Sequence, residues 1–427
     1  MNKIKSIAVI GLGYVGLPLA LLADKKGFKV YGIDIDPKKL ESLKRKKSYI
    51  DGILDKDISN SKTVFTNDFS VIKKVDATII CVPTPVSHDK IPDLNPVKGA
   101  VKSISPFLKK SSLVVVESTV NPGVCDDIVT PLLEEYSNMK VGRDIYLAHC
   151  PERINPGDPN WNVSNISRVV GANSKKEMDL AVGLYSQIID GSIKPMGSLK
   201  EAEAVKVVEN SFRDINIAFV NELAMSFDKL GINLENVIDG ASTKPFAFMP
   251  HHPGCGVGGH CIPVDPYYLI EYARKNGFEH KFLQLARNIN ESMPQFTVDL
   301  LKKSLTEIGL PTKNTTVALL GLSYKANVGD DRESPSYEIL KLLQKLGMKV
   351  KVYDPYLKEK STTDNLEDAI SDAVAIIIAT GHNEFKKIDT EKLLKNKVKI
   401  VIDGRNIFKN KSSKLKEAGI TYRGIGV

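Results

Sequence analysis

The feature that most constrains the fold is a glycine motif directly after the first apolar segment. Residues 7–10 are apolar and predict a buried strand, and residues 11–16 follow at once with the pattern G-x-G-x-x-G. Glycines at this spacing allow a tight turn and the close approach of a pyrophosphate at the N-terminus of the next helix. A second apolar segment, residues 30–33, ends in Asp34, whose carboxylate suits the ribose hydroxyls of NAD. The segment therefore predicts a βαβ unit that binds NAD.

Strand-like and helix-like patterns continue to alternate through the first half of the chain. Apolar segments at residues 77–82, 113–116 and 145–147 predict further strands of one parallel sheet. Ligands of such sheets bind beyond the carboxyl ends of the strands. An acid at position 34 disfavours the extra phosphate of NADP, although Lys39 is close in sequence. The predicted cofactor-binding residues are Gly11, Gly13, Tyr14, Val15, Gly16, Asp34, Lys39, Pro83, Thr84, Ser118 and Thr119.

Composition and charge fit a soluble globular enzyme of two or three domains. The chain has 427 residues, of which 42% are hydrophobic and 26% charged, and its net charge is +8. No known nucleic-acid-binding module accompanies this charge, and no segment approaches the ~20 apolar residues of a membrane span. Five cysteines without regular spacing argue for a reducing compartment. We therefore expect a cytoplasmic protein that binds neither nucleic acid nor a membrane.

Residues 251–261 form the second informative segment. Four glycines within six positions let the backbone pass close to a ligand, and the segment ends in Cys261, four residues before Asp265. This pattern predicts an accessible, nucleophilic cysteine. The segment also holds five potential zinc ligands, His251, His252, Cys255, His260 and Cys261. Their spacing matches no ordinary zinc motif, and a metal on Cys261 would block covalent catalysis, so we predict no metal.

Residues 200–230 contain neither proline nor glycine and predict one long helix. Its apolar positions recur at helical spacing, while Lys206, Asn210 and Arg213 share one polar stripe. Two interpretations of the stripe stay open from the pattern alone. Either it is a solvent-exposed edge or a face packed on a second copy of the chain, or its lysine and asparagine point into a cleft.

A second α/β unit is predicted in the last third of the chain. Its apolar segments are residues 317–320, 350–353, 373–379 and 399–402. The first of them is followed by Lys325 and residues 329–335, and the last by Arg405. Basic groups at strand ends suit a second nucleotide or phosphate ligand better than they suit a purely structural half.

Taken in chain order, these motifs resemble the UDP-glucose/GDP-mannose dehydrogenase family over nearly the entire chain. Residues 258–268, which read GGHCIPVDPYY, are similar to the UDP-N-acetylhexosamine branch of that family. The other motifs that carry the resemblance are the glycine fingerprint, residues 118–120, residues 151–153, Lys206 with Asn210, and residues 329–335.

The resemblance implies an α/β fold with two Rossmann-like, doubly wound domains joined by a long central helix and a small helical domain. The implied NAD-binding domain is residues 1–198. Residues 199–308 are the implied central helical domain, which carries the cysteine loop and forms a homodimer or a higher homo-oligomer. Residues 309–427 are the implied UDP-sugar-binding domain.

The resemblance further implies a four-electron oxidation of the C6 alcohol of a UDP-N-acetylhexosamine to the uronate, with NAD as acceptor, for the synthesis of surface polysaccharide or glycan precursors. Cys261 is the implied nucleophile, which passes through a thiohemiacetal and a thioester. Lys206 and Asp265 are the implied base and its orienter, and Lys206 with Asn210 holds the developing oxyanion.

Hydrolysis of the thioester is assigned, by the same resemblance, to Glu152 as base and to Thr119 as the residue that positions a water. Arg332 is implied to contact NAD. The implied substrate-binding residues are Glu152, Arg153, Lys206, Asn210, Arg213, His252, Gly254, Gly258, His260, Lys325 and Arg405.

The identity of the sugar is the least constrained part of the prediction. By the same resemblance, Asn290 with Met293 and Pro294 favours UDP-N-acetylglucosamine, and UDP-N-acetylmannosamine and UDP-glucose remain alternatives. Two other classes of function stay open: a two-electron NAD-dependent dehydrogenase of small hydroxy acids, and a non-catalytic sensor of NAD or of a nucleotide sugar. Neither has a use for both the Cys261 loop and the second nucleotide-like half.

Overall fold

The computed structural model describes residues 4–50, 52–87, 90–153 and 160–427. The chain divides into two compact units. The first unit comprises residues 1–209 and 267–279, and the second comprises residues 210–266 and 280–427.

The first unit is built on a six-stranded, entirely parallel sheet. Its strands are β1 (Ser6–Ile10), β2 (Lys29–Ile33), β3 (Val64–Thr66), β4 (Ala77–Ile80), β5 (Leu113–Val116) and β6 (Tyr146–His149). Their order is β3-β2-β1-β4-β5-β6, which is the order of dinucleotide-binding sheets. β1, β4, β5 and β6 are buried along their whole length, because helices cover both faces of a parallel sheet.

The remaining elements of the first unit surround this sheet. β7 (Arg168–Val170) pairs in parallel with β8 (Ile193–Pro195). The helices are α1 (Gly16–Lys25), α2 (Pro37–Lys44), α3 (Asp55–Asn60), α4 (Asn95–Ile104), α5 (Thr130–Ser137) and α6 (Lys175–Ile188). Short 3₁₀ turns at Phe69–Lys74 and Ser105–Phe107 and a π-turn at Cys125–Val129 complete it.

A series of helices follows in the middle of the chain, of which the first and the last are long. They are α7 (Leu199–Leu230), α8 (Leu234–Ala241), α9 (Asp265–Lys275) and α10 (Lys281–Glu307). Within the second unit, α7 and α10 are joined by a buried polar network. Arg287 Nη1 lies 2.6 Å from Asp214 Oδ1, and Asn290 donates to the same carboxylate at 2.9 Å. The Arg287, Asp214 and Asn290 side chains are thereby joined to one another, as burial of polar side chains favours.

The second unit contains a five-stranded parallel sheet. Its strands are β9 (Thr316–Leu320), β10 (Lys349–Tyr353), β11 (Ala375–Ile378), β12 (Ile400–Asp403) and β13 (Thr421–Gly424), in the order β10-β9-β11-β12-β13. Its helices are α11 (Pro335–Lys345), α12 (Leu366–Ile370), α13 (Thr390–Lys395) and α14 (Ser412–Glu417), with 3₁₀ turns at Lys358–Lys360, Phe385–Lys387 and Lys409–Lys411. The prediction of two Rossmann-like α/β sheets with a long helix between them in sequence is confirmed.

In both sheets, an acidic side chain directly after the second strand accepts a backbone hydrogen bond from the turn after the first strand. In the first unit, Leu12 N donates to the Asp34 carboxylate at 2.8 Å. In the second unit, Leu322 N donates to Asp354 at 2.7 Å. Each acid closes the turn after the first strand of its sheet. The missing G-x-G-x-x-G of the second unit therefore did not prevent it from adopting the same turn.

Asp354 is more completely enclosed than its counterpart in the first unit. Its Oδ2 also accepts from Ser323 N at 2.8 Å and lies 3.1 Å from His382 Nε2. His382 Nδ1 accepts from Asn327 N, so Nε2 carries the proton that it donates to Asp354. Burial alone would raise the pKa of Asp354, but the hydrogen bonds from His382 and Ser323 outweigh it and hold that pKa well below its ordinary value.

We expect Asp354→Asn to destabilise the protein by about 3 kcal/mol at neutral pH, because an amide cannot accept all these hydrogen bonds. A depressed folded-state pKa gives stability that is present above the ordinary carboxyl pKa and is lost as pH falls through the folded-state value. The difference from wild type should therefore shrink in acid. Urea unfolding from pH 7 down to pH 3 measures it, with exposed Asp364→Asn as control. An equal effect of the two variants would contradict the assignment.

Candidate active site

The glycine turn of the first unit lies between β1 and α1, beside the point where the strand order reverses between β1 and β4. Gly11 has φ +89°, and a Cβ built on it would lie 2.8 Å from the carbonyl oxygen of Cys81. Gly13, in contrast, has no atom within 4 Å of a Cβ position. The turn therefore packs tightly against β4 on one side and presents open backbone on the other, as a pyrophosphate site requires.

Asp34 directly follows β2 and lies against this turn. Its carboxylate accepts from Leu12 N and from Asp36 N, and Lys39 Nζ lies 3.2 Å from it. Tyr49 donates its hydroxyl to Leu12 O at 2.6 Å and supports the turn from below. Lys39 is thus paired with the acid itself, which explains why a lysine so near the ribose position is compatible with NAD.

The candidate cofactor residues after β4 and β5 lie at the same edge of the sheet. Pro83 is exposed, whereas Thr84 is buried and its carbonyl accepts from Tyr268 Oη. Ser118 donates to Val82 O at 2.8 Å and ties the two strand ends together. Thr119 is half-buried directly after it. These residues line the end of the sheet to which the glycine turn belongs.

Glu152 follows β6 and is 5% exposed. One of its oxygens accepts from Arg153 N at 2.6 Å, and the other lies 2.5 Å from Arg168 Nη2. The Arg153 side chain forms an ion pair with Glu209 and donates to Ser167 O. Arg168 carries no sequence signal of function, because it lies in a three-residue strand without a motif, and sequence reasoning missed it.

The polar stripe of α7 crosses from the first unit into the second. Lys206 is half-buried in the first unit. In the second unit, Asn210 donates to the Asp265 carboxylate at 2.5 Å, and Arg213 is exposed. The structure therefore brings together two of the candidate catalytic side chains, Asn210 and Asp265, that are 55 positions apart in sequence.

Cys261 is exposed at the end of the glycine-rich loop of the second unit. Its carbonyl accepts from Val264 N at 3.1 Å and Asp265 N at 2.8 Å, so a tight turn leads directly into α9. Cys255 is buried instead, and its Sγ donates to Ala379 O at 3.3 Å. The loop thus exposes one thiol and uses the other to anchor itself.

The glycines of this loop admit other parts of the chain. A Cβ on Gly258 would lie 2.6 Å from Tyr324 Cβ, and one on Gly259 would lie 2.8 Å from the Tyr324 ring. Gly259 N also donates to Arg332 O at 2.9 Å. The sequence predicted that these glycines let the backbone approach a ligand. In the structure they also let the loop pack closely against Tyr324 and the segment around Arg332.

Arg332 and His260 lie together beside this loop. Arg332 binds the Asp330 carboxylate through two nitrogens, at 2.9 Å and 2.6 Å, and interacts electrostatically with Cys261. Burial, and next the charge of Arg332, lower the pKa of His260, which is therefore neutral at pH 7. The exposed thiol thus interacts with a cationic guanidinium and directly follows a neutral histidine in sequence.

The other candidate substrate residues of the second unit are placed by local contacts. Arg405 donates to Ala379 O at 2.9 Å, and its Nη1 lies 2.7 Å from the Cβ position of Gly254. His252 Nδ1 lies 3.1 Å from Glu235 Oε1. Lys325 is half-buried in the loop after β9.

Comparison with known proteins matches all three domains of one family. Residues 5–189 match the NAD-binding domain of the UDP-glucose/GDP-mannose dehydrogenase family, residues 200–292 its central domain, and residues 318–410 its UDP-binding domain. The chain belongs to the UDP-glucose/GDP-mannose dehydrogenase family. The predictions of the family, of an oxidoreductase and of NAD as cofactor are confirmed.

Relatives within this dehydrogenase family are similar over nearly their full length. The chain is 37% identical to UDP-N-acetyl-D-mannosamine dehydrogenase of Pyrococcus horikoshii, over 98% of this chain and 99% of the relative. It is also 37% identical to UDP-N-acetyl-D-glucosamine 6-dehydrogenase of Pseudomonas aeruginosa, over 91% and 93%. The solved structure of the Pyrococcus horikoshii UDP-D-ManNAc dehydrogenase superimposes with a TM-score of 0.92 at 36% identity and covers 99% of both chains.

The five potential zinc ligands of the cysteine loop do not converge. His251 contacts Met249 O, His252 contacts Glu235, and Cys255 contacts Ala379 O. Within the ranges that the structure describes, the group that could surround an ion is a different one, Cys125, His149 and Glu203. Glu203 already accepts hydrogen bonds from Gly123 N and Cys125 N, and burial raises the pKa of the Cys125 thiol. The Glu203 carboxylate is thus already paired with backbone donors, whereas His149 Nε2 has no hydrogen-bond partner among the described residues.

Gly11→Ala provides a test of the dinucleotide turn. The new Cβ would approach Cys81 O, so we expect the affinity for NAD to fall by at least about tenfold. The matched control is Gly27→Ala, since Gly27 has φ +91° but no atom within 4 Å of its Cβ position. Backbone strain is thereby equal in both variants. NAD titration by calorimetry measures the difference, and equal losses would argue against the turn as the binding site.

Proposed function

We propose that the protein oxidises the C6 alcohol of a UDP-N-acetylhexosamine to the carboxylate in two NAD-dependent steps, and thereby makes a uronate precursor of surface polysaccharide or glycans. UDP-N-acetylglucosamine is the expected substrate. The observation that carries the proposal is the exposed thiol of Cys261 beside the Asn210–Asp265 pair in a unit that includes the family's UDP-binding domain.

The residues of the first unit fit NAD. The open backbone at Gly13, the N-terminus of α1 and the Asp34 carboxylate provide contacts for a pyrophosphate and a ribose. When bound, NAD supplies the acceptor of a hydride, and two molecules are consumed for each sugar.

In the first oxidation, the C6 hydroxyl must lose its proton as its hydride leaves. We assign the proton to Lys206, with Asp265 as its orienter. Asn210 is held by Asp265, so its amide is fixed in orientation and can support the developing oxyanion. The product of this step is the C6 aldehyde.

The second oxidation proceeds on Cys261. Its thiolate adds to the aldehyde carbon to form a thiohemiacetal, which loses a hydride and a proton to give a thioester. Arg332 supports the thiolate because it is a cation in electrostatic contact with Cys261. Capture of the aldehyde in this way prevents its release.

Hydrolysis completes the reaction. A water positioned by Thr119 attacks the acyl carbon, Glu152 accepts its proton, and the carbon–sulfur bond breaks to release the uronate and regenerate Cys261. Each sugar thus yields two NADH. Lys325 and Arg405 are assigned to the nucleotide of the substrate because both are basic groups near strand ends of the second unit.

Two related proteins act, by their names, on different epimers, UDP-N-acetylmannosamine and UDP-N-acetylglucosamine. In this chain Asn290 donates to Asp214 and accepts from Asn221, and Met293 is fully buried. These side chains lie in the interior between helices and carry no argument about the sugar. The preference for UDP-N-acetylglucosamine therefore stays a prediction, with UDP-N-acetylmannosamine and UDP-glucose as alternatives.

The two remaining alternatives lose support. Membership of a nucleotide-sugar dehydrogenase family over all three domains disfavours both a hydroxy acid dehydrogenase and a non-catalytic sensor.

Among the helices of the described residues, none combines the length and the apolar character that crossing a membrane demands. A cytoplasmic location and a homo-oligomer stay predictions, and the exposed Phe212 and Phe219 of α7 support the second.

Substrate and stoichiometry are tested in one assay. Purified protein is incubated with NAD and, separately, with UDP-N-acetylglucosamine, UDP-N-acetylmannosamine or UDP-glucose, and NADH and uronate are counted. We expect two NADH per sugar and the highest kcat/KM with UDP-N-acetylglucosamine. One NADH per sugar would contradict the four-electron reaction, and a higher value with another sugar would replace the substrate.

Cys261→Ala is expected to abolish uronate formation, because no thioester can form without the thiol. Cys255→Ala is the matched control, since it removes a thiol from the same loop at a buried position. Product analysis by mass spectrometry distinguishes the two variants. Uronate production by Cys261→Ala at the wild-type rate would exclude covalent catalysis.

A further inference from the structure

A fully buried arginine, Arg168, lies behind the candidate base Glu152. It belongs to β7 in the first unit, and its side chain has no exposed surface. Arginine remains protonated in proteins, so this side chain places a permanent positive charge in the interior. Such a charge requires an anionic partner nearby.

Two carboxylates supply that partner. Arg168 Nη2 lies 2.5 Å from Glu152 Oε2, and Arg168 Nη1 lies 3.8 Å from Glu117 Oε2. Among the described residues, none forms a hydrogen bond of good geometry with the Arg168 guanidinium nitrogens. Both contacts are therefore ion pairs without an aligned hydrogen bond. Tyr185 donates its hydroxyl to Glu117 Oε1 at 2.5 Å and fixes the second carboxylate.

Burial opposes the ionisation of one of the two acids in this group. Burial raises the pKa of Glu117 to about 7, although Arg168 opposes the shift. The group therefore contains one permanent cation and two acids, and burial makes one of them, Glu117, harder to ionise. The pairing of Arg168 with Glu152 is the closer of the two by more than 1 Å.

Glu152 is consequently held at both of its oxygens. Oε1 accepts from Arg153 N, and Oε2 faces Arg168. Two contacts on opposite oxygens fix the plane of the carboxylate, and a base must be fixed in this way to meet a water at hydrogen-bond distance. Stability alone explains the arrangement poorly, because a buried ion pair adds little net stability over apolar side chains of similar volume.

We propose that Arg168 is a positioning residue that holds the Glu152 carboxylate in the orientation from which it accepts the proton of the hydrolytic water, with Glu117 and Tyr185 fixing the guanidinium from its other side. The inference rests on the proposed function, since it concerns hydrolysis of the thioester on Cys261. In that step the water oxygen bonds to the acyl carbon, its proton goes to Glu152, and the thiolate leaves.

The test separates hydrolysis from both oxidations. Rapid mixing of enzyme, NAD and sugar gives a burst of two NADH per site if hydrolysis is slow, and acid quenching traps the acyl adduct on Cys261 for mass spectrometry. We would compare Arg168→Lys, Arg168→Met, Glu152→Gln and the double variant Arg168→Lys with Glu152→Gln. Arg143→Lys, at an exposed arginine of the same unit, is the control.

Arg168→Met is expected to keep the burst, accumulate the adduct and reduce steady-state kcat by about a hundredfold, close to the effect of Glu152→Gln. Arg168→Lys keeps the charge and should restore part of the rate. The double variant should be no slower than Glu152→Gln within about twofold, because Arg168 acts through Glu152. KM for the sugar should fall together with kcat, and kcat/KM should stay within about twofold of wild type, because the steps up to the acyl adduct are unchanged.

Independent, multiplying effects in the double variant, or a folded Arg168→Met without adduct, would overturn the inference. If Arg168→Met does not fold, Arg168→Lys and Tyr185→Phe decide, and wild-type hydrolysis in both overturns it. Failure of the proposed function looks different, since wild-type enzyme would then give one NADH or Glu152→Gln would trap no adduct.

Discussion

A carboxylate that closes the turn after the first strand is the interaction on which both sheets depend. Asp34 accepts from Leu12 N in the first unit, and Asp354 accepts from Leu322 N in the second. In each case the acid directly follows the neighbouring strand and satisfies a backbone donor that the turn would otherwise leave unpaired. The bond fixes where the turn lies against the sheet, and the position of the ligand site follows from it.

The two turns differ in whether their backbone and their acid remain accessible to a ligand. In the first unit, Gly13 leaves the turn open, and Asp34 has one lysine beside it. In the second unit, Asp354 is enclosed and already accepts hydrogen bonds from His382 and Ser323, which keep it ionised despite its burial. The same backbone geometry therefore suits a dinucleotide in one unit. In the other it serves as a rigid support for the loop that carries Lys325.

Buried charged side chains in both units each have a charged or polar partner close by. Arg168, Glu117 and Glu152 form a group in which one cation is shared by two acids at different distances. The Asn210–Asp265 pair and the Asp214–Arg287 pair solve the same problem in the second unit. In each pair, burial limits access to water, so the two side chains keep each other in one orientation. Catalytic side chains need such a fixed orientation to meet the reacting atoms.

The sequence by itself determined the local features. Glycine spacing, apolar periodicity and an acid at a strand end predicted both parallel sheets, the helix of Leu199–Leu230 and the exposure of Cys261, because these follow from steric and hydrophobic rules over a few residues. The short strands β3, β7 and β8 and the last strand, β13, were missed, since three or four residues without a motif give no periodic signal. Only the tertiary structure decided which distant side chains meet. Arg168 lies 16 positions from Glu152 and 51 from Glu117, and no local pattern records an ion pair that forms only when separate strands are buried side by side.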